Sequence, residues 1–157
     1  MSTVGGVLER EHRIIDVGIT ILAGADPTDV SANQRMAALD AIAMLRRHIY
    51  LEEEYLFPPL RAAGLLGPVM VMVLEHGKMW PALDELERLL GDDAFAAAAA
   101  LCRNLLEQLA AHNLKEERIL YPQAEEMLTP GDLDELDHLL ATAEIPAGWV
   151  CGGVAVD

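Results

Sequence analysis

The sequence predicts an all-α protein: an up-down-up-down four-helix bundle with a short C-terminal helix and an irregular tail. Three observations lead there. Apolar residues recur at helical spacing along most of the chain, and no stretch alternates with the period of two that a half-buried strand needs. The long periodic segments are joined by short connections, which favour antiparallel neighbours.

Each element has a local cause. Val7 to Ala23 carries Ile14, Ile15, Gly18, Ile21 and Leu22 at helical spacing, then meets the turn-forming cluster Gly24 to Pro27, which ends the first helix. Ser31 caps a second helix while Gln34, three residues on, reaches back in a capping box. That helix runs to about Phe57, where Pro58 and Pro59 remove two backbone donors and bend the chain before a short piece ending at Gly64. A third long helix starts with Pro68 in its first turn and ends at Gly91 to Asp93, with a kink expected at Pro81. The fourth begins near Asp93, passes through the Ala-rich residues 94–100 and reaches Tyr121 and Pro122, where a second bend is expected. Thr129 to Asp132 caps a short fifth helix over about 132–143. After Pro146 no period is readable, so the chain divides into a bundle with its appended helix, residues 1–144, and a tail, residues 145–157.

Composition narrows the partners. A chain of 157 residues, 52% of them hydrophobic, can bury about 70% of its unfolded surface in one domain without disulfide staples. With 26 acidic residues against 11 basic ones its net charge is -15, which repels phosphate backbones and anionic lipid. Neither nucleic acid nor a membrane surface is an expected partner; cations are. The longest apolar run, Leu65 to Leu74, is interrupted by Gly67 and Pro68 and reaches about half of the roughly 20 residues a membrane span needs. Charged residues near the start stand where a signal peptide needs its apolar core. Cys102 and Cys151 are too few for a disulfide framework, so a reducing, cytoplasmic setting is expected. Cys151 has no basic neighbour to lower its pKa and reads as an inert thiol in a mobile tail.

The chain also matches itself at a shift of 64 residues. Glu11 and His12 fall on Glu75 and His76. Leu45, His48, Glu52, Glu53, Leu56, Phe57 and Pro58 fall on Leu109, His112, Glu116, Glu117, Leu120, Tyr121 and Pro122. Each half is a His followed, thirty-six residues later, by His-x-x-x-Glu. Residues four apart share one helix face, so His48 with Glu52, and His112 with Glu116, can each grip one ion. Counted from the loops, His12 lies 15 residues before Pro27 and His48 lies 21 after it. His76 lies 16 before Asp92 and His112 lies 20 after it. At about 1.5 Å of rise per residue the four histidines share a level within one or two turns. Four imidazoles and two carboxylates so arranged suit a pair of metal ions, two histidines to each, with both glutamates free to bridge.

The pattern of His12, His48-x-x-x-Glu52 with Glu53 and Phe57-Pro58, Glu75-His76, and His112-x-x-x-Glu116 with Glu117 and Tyr121-Pro122 resembles the hemerythrin-like, or HHE cation-binding, family over about residues 5–128. The resemblance implies a four-helix bundle holding two Fe ions, bridged by Glu52, Glu116 and an oxo or hydroxo oxygen, with His12, His48, His76 and His112 as terminal ligands. Imidazole and carboxylate do not themselves exclude Zn or Mn. One departure bears on function: oxygen-carrying relatives place a further histidine four residues after the third-helix His, where this chain has Trp80. Fewer histidines leave more open positions for O2, peroxide or NO, which favours a reactive or sensing role over oxygen storage. Glu11, Glu53, Glu75, Glu117 and Tyr50 are candidate further ligands or histidine-orienting partners. His138 has no counterpart in the repeat and reads as a surface residue.

Three functions follow in order. The first is a di-iron protein that binds or reduces a small diatomic or peroxide ligand. The second is a metal- or gas-sensing module read by a protein partner. The third is iron delivery or iron-sulfur cluster repair, ranked lower because relatives with that role carry a Cys-containing N-terminal segment and only eleven residues precede His12 here. The sequence names no electron donor and is compatible with a homodimer.

Overall fold

Helix covers most of residues 3–154, the part of the chain that the computed structural model describes. Helix α1 (Val4–Ala23) begins earlier than its periodicity predicts, because the Gly6 N–H donates to Thr3 Oγ1 at 2.9 Å and extends the helix by capping it. Helix α2 (Ala32–Leu51) has the expected capping box: Gln34 N–H donates to Ser31 Oγ at 3.1 Å and Ser31 N–H donates to Gln34 Oε1 at 2.9 Å.

The two expected bends take a specific form. After α2 comes a π-helical turn, Glu52–Leu56, and then α3 (Phe57–Ala62), so the chain stays helical past Pro58 and Pro59. A proline ring needs the space of the carbonyl four residues back and donates no hydrogen to it. Widening the turn accommodates this: Phe57 N–H reaches the Glu52 carbonyl, five residues back. The second half repeats the device. Helices α4 (Leu66–Gly91) and α5 (Phe95–Lys115) lead into a second π-helical turn, Glu116–Leu120, and then α6 (Tyr121–Met127) ahead of Pro122. Pro81 does not interrupt α4, because one missing backbone bond is a small loss in a 26-residue helix buried along one face. Helix α5 starts later than expected, since Asp93 adopts a left-handed φ of 54° that no helix can include. Helix α7 (Pro130–Thr142) has its own capping box from Thr129 and Asp132.

Helices α1, α2, α4 and α5 pack in a ring, each against its neighbours in sequence and α1 against α5. Gly18 lets α1 approach α2 closely: a Cβ there would sit 2.7 Å from Ala41 Cβ. The interior holds two apolar clusters. One, around Ile15, Ile19, Ile42, Leu83 and Leu105, fills the end near the α1–α2 loop; the other, around Leu8, Leu51, Phe57, Leu60 and Leu120, fills the opposite end. Helix α7 is tied to α2 by Arg47, whose guanidinium donates to the carbonyls of Leu140 (2.7 Å) and Ala143 (2.9 Å). The expected tail, irregular as predicted, packs against α2 and α4: Trp149 and Val154 lie on the core, and Cys151 is fully buried. Residues 1–2 and 155–157 of the expected bundle and tail lie outside the described residues. Among the described residues no helix is long and apolar enough to cross a membrane.

Candidate metal centre

Between the two apolar clusters lies a polar layer. His12 from α1, His48 from α2, His76 from α4 and His112 from α5 are all buried, and Glu52 and Glu116, the first residues of the two π-helical turns, are fully so. The structure brings together all six residues singled out by the repeat. The Nε2 atoms face one another in pairs, His12 to His48 at 3.1 Å and His76 to His112 at 3.2 Å. Each glutamate lies between the pairs. Glu52 Oε1 is 3.4 Å from the Nε2 atoms of both His48 and His76, and Glu116 Oε1 is 3.2 Å from those of both His12 and His112.

A second set of carboxylates fixes the rings. Each histidine presents its Nδ1 to a glutamate on a neighbouring segment: His48 to Glu11 at 2.9 Å, His76 to Glu53 at 2.7 Å, His112 to Glu75 at 2.9 Å and His12 to Glu117 at 3.0 Å. The pattern closes into a ring around the bundle. It sets Nδ1 as the protonated nitrogen and turns every Nε2 lone pair inward, as a metal site requires. Two buried oxygens, Glu52 Oε1 and Glu116 Oε2, have no hydrogen-bond partner. A buried carboxylate oxygen left this way is costly unless a cation meets it, so the donor set and its orphaned oxygens fit a metal. Donor atoms converge in two groups, His12 with His48 and Glu116, and His76 with His112, Glu52 and Glu116.

The family model of the hemerythrin HHE cation binding domain matches residues 4–124, most of the chain. The chain belongs to that family. No curated protein and no solved structure matches it. Family and geometry together indicate a metal-binding site, and the residues that line it in this HHE bundle are the ones that its internal repeat duplicates.

The electrostatics of the HHE site are those of a cation trap. Burial opposes protonation of His48, yet Glu52 and Glu11 beside it hold it well above the ordinary imidazole range. His76 is likewise raised against burial, to about 9, by Glu52 and Glu53. Burial works against the Glu52 charge as well, but His48 and its other partners hold the carboxyl well below its usual range. Protons and a metal ion therefore compete for the same inward-facing nitrogens.

The remaining candidates fall elsewhere. Glu11, Glu53, Glu75 and Glu117 orient histidines. Tyr50 faces away, its hydroxyl 3.2 Å from that of Tyr55. Trp80, at the position of the missing histidine, packs edge-on against Trp149 and under the Arg46 guanidinium. His138 is exposed on α7. Burial pushes the thiols of Cys102 and Cys151 up to about 11, so neither is a ready thiolate. Sequence reasoning did not single out Tyr121. Its hydroxyl donates to Glu52 Oε2 at 2.8 Å and lies 3.1 and 3.3 Å from the Nε2 atoms of His12 and His48. Burial and the charges of Glu116 and Glu52 hold this phenol well above its normal pKa, so it is a donor there. Its signal was the one aromatic pair in the repeat, Phe57 with Tyr121, that differs by a hydroxyl.

Proposed function

We propose that this HHE protein is a non-haem di-iron protein that binds or reduces a small ligand, O2, peroxide or NO, at a carboxylate-bridged site. The observation that carries the reading is the placement of Glu52 and Glu116, each equidistant from one histidine of either pair, each with a buried oxygen that has no hydrogen-bond partner. His12 and His48 would hold one ion, His76 and His112 the other, and the two glutamates both. When bound, iron supplies reversible one-electron steps and open positions for a small ligand.

The chain's own residues set the conditions. Four imidazoles and two carboxylates are fewer donors than two six-coordinate ions need, and Trp80 adds none. The four outer carboxylates hold the Nδ1 protons, so the rings cannot turn to offer the wrong nitrogen. The Tyr121 O–H keeps one proton beside His12 and His48, available to a ligand that gains negative charge there. The apolar clusters above and below keep bulk water out.

The test is elemental analysis of protein purified without added metal, with an optical spectrum before and after dithionite, repeated on the His112→Ala/Glu116→Ala variant. Two irons per chain and a near-ultraviolet absorption that bleaches on reduction and is missing from the variant are expected, followed by turnover or binding of peroxide, O2 or NO. Zinc alone, or iron that neither reduces nor binds any of these ligands, sinks the reading.

A further inference from the structure

Residues 145–154 have no place in the repeat, yet they reach the metal layer. The Trp149 indole packs edge-on against Tyr50 at 5.1 Å and Trp80 at 5.4 Å, and its Nε1–H donates to Glu54 at 2.9 Å. Beyond it the backbone runs directly against α4. A Cβ on Gly153 would collide with the Val73 carbonyl oxygen and lie 2.9 Å from Gly77 Cα; a Cβ on Gly77 would lie 2.6 Å from the Gly153 carbonyl carbon. Two glycines, one on each segment, allow this contact, and Gly77 is the residue after His76.

The contact delivers one backbone donor. Gly152 N–H donates to Glu53 Oε1 at 2.8 Å, while Glu53 Oε2 takes the His76 Nδ1 proton at 2.7 Å. Among the described residues no other histidine-orienting carboxylate is held this way. Glu75 is paired with Lys115 at 2.5 Å, and Glu11 lies 3.9 Å from the Arg47 guanidinium, so each shares its charge with a cation. Glu117, the repeat mate of Glu53, has a side chain 32% exposed against 7% for Glu53. Glu53 is thus mostly enclosed, fixed by a neutral donor, and, unlike Glu75 and Glu11, shares its charge with no Lys or Arg among the described residues. A carboxylate in that state makes the imidazole a stronger ligand.

We propose that residues 145–154 form a strap that positions Glu53 for His76, making the His76–His112 position the tighter of the two metal positions. This rests on the metal-site reading above. Because linkage is reciprocal, an ion at that position must also tighten the strap. Gly152 and Glu53 are positioning residues here, and the strap is a segment through which occupancy of one half of the site alters a surface element.

The test is a Co(II) titration of the metal-free full chain, followed by the absorption of the bound ion, with the step that His112→Ala removes taken as the His76–His112 step. Wild type should take up two ions, that step being the tighter. Gly153→Ala, which forces the strap off α4, should weaken it by about 10- to 100-fold and leave the other step unchanged. A strap that merely covers the core would lower the Tm of Gly153→Ala without moving either step, and that result overturns the proposal. Amide hydrogen exchange on the wild type needs no variant to fold: the Gly152 amide should slow at least about 10-fold on Co(II) loading and recover on chelation. An unchanged rate overturns the strap with the metal site intact, whereas a wild type that takes up no Co(II) removes the metal site and the strap together.

Discussion

The two halves of the candidate site are built by one repeat and end up different. Around His12 and His48 there is a hydroxyl, that of Tyr121, and an outer carboxylate, Glu117, open to water. Around His76 and His112, Phe57 stacks on His76 with ring centroids 5.8 Å apart and no polar atom, and one of the two outer carboxylates, Glu53, has a side chain only 7% exposed. The duplicated residues make a place where cations are held. The departures from duplication make its two halves unequal in polarity, and on the function proposed above one half would serve proton supply and the other firm retention.

The strongest way to break the comparison is to remove what the halves share. Glu116 touches a histidine of each, so Glu116→Ala should weaken both positions by about 100-fold or more and reduce metal uptake from two ions to fewer than one at micromolar concentration. Elemental analysis after gel filtration checks this, and an alanine variant that still carries two ions would show that neither half depends on the carboxylate.

Proton competition sharpens it next. In the metal-free protein the folded pKa of His76 is raised from 6.5 to about 9, so its contribution to stability is complete below pH 6.5 and is lost as pH rises through 9. Glu52 is held well below 4.5, so its contribution is present above 4.5 and lost as pH falls through its lower folded value. Urea denaturation of chelator-treated protein should therefore give greatest stability at about pH 5 to 6 and a fall of roughly 3 kcal/mol by about pH 10. The loaded protein should lack this alkaline fall, because binding has already released the same protons. A flat metal-free profile would mean that the imidazoles are not held charged.

The smallest effect belongs to the hydroxyl. Tyr121→Phe makes the inner aromatics of the halves alike, leaves Glu52 one donor short and should lower metal-free stability by about 1 to 3 kcal/mol with uptake still at two ions. Loss of one ion instead would make the phenol a ligand rather than a proton donor.

Most of this centre was legible in the sequence because helical spacing and a 64-residue self-match are properties of the chain alone. The six inner residues and the four outer glutamates all lie inside the repeat, so counting along helices was enough to bring them to one level. Tyr121 was visible only as a mismatch with Phe57, and the direction of its hydroxyl depends on how a π-helical turn rotates it. The tail was opaque for a different reason. Glycines, one tryptophan and a buried cysteine have no period, and their order arises from contacts with Tyr50, Trp80 and Gly77, which are distant in sequence.

The π-helical turns also set the phase of everything after them. Each adds one residue to a helix that would otherwise advance about 100° per residue, so all that follows is rotated by that step relative to an uninterrupted spiral. Phe57 and Tyr121 face the histidines only because of that rotation. Removing a single residue from either five-residue turn would restore regular helix and leave the glutamate at its head in place. The aromatic would then stand four residues after the glutamate, on the same helix face, as it now stands five residues after it across the wider turn. The lid of each half is thereby keyed to the match between one extra residue and one wide turn: closing the turn with that residue kept would separate holding an ion from surrounding it.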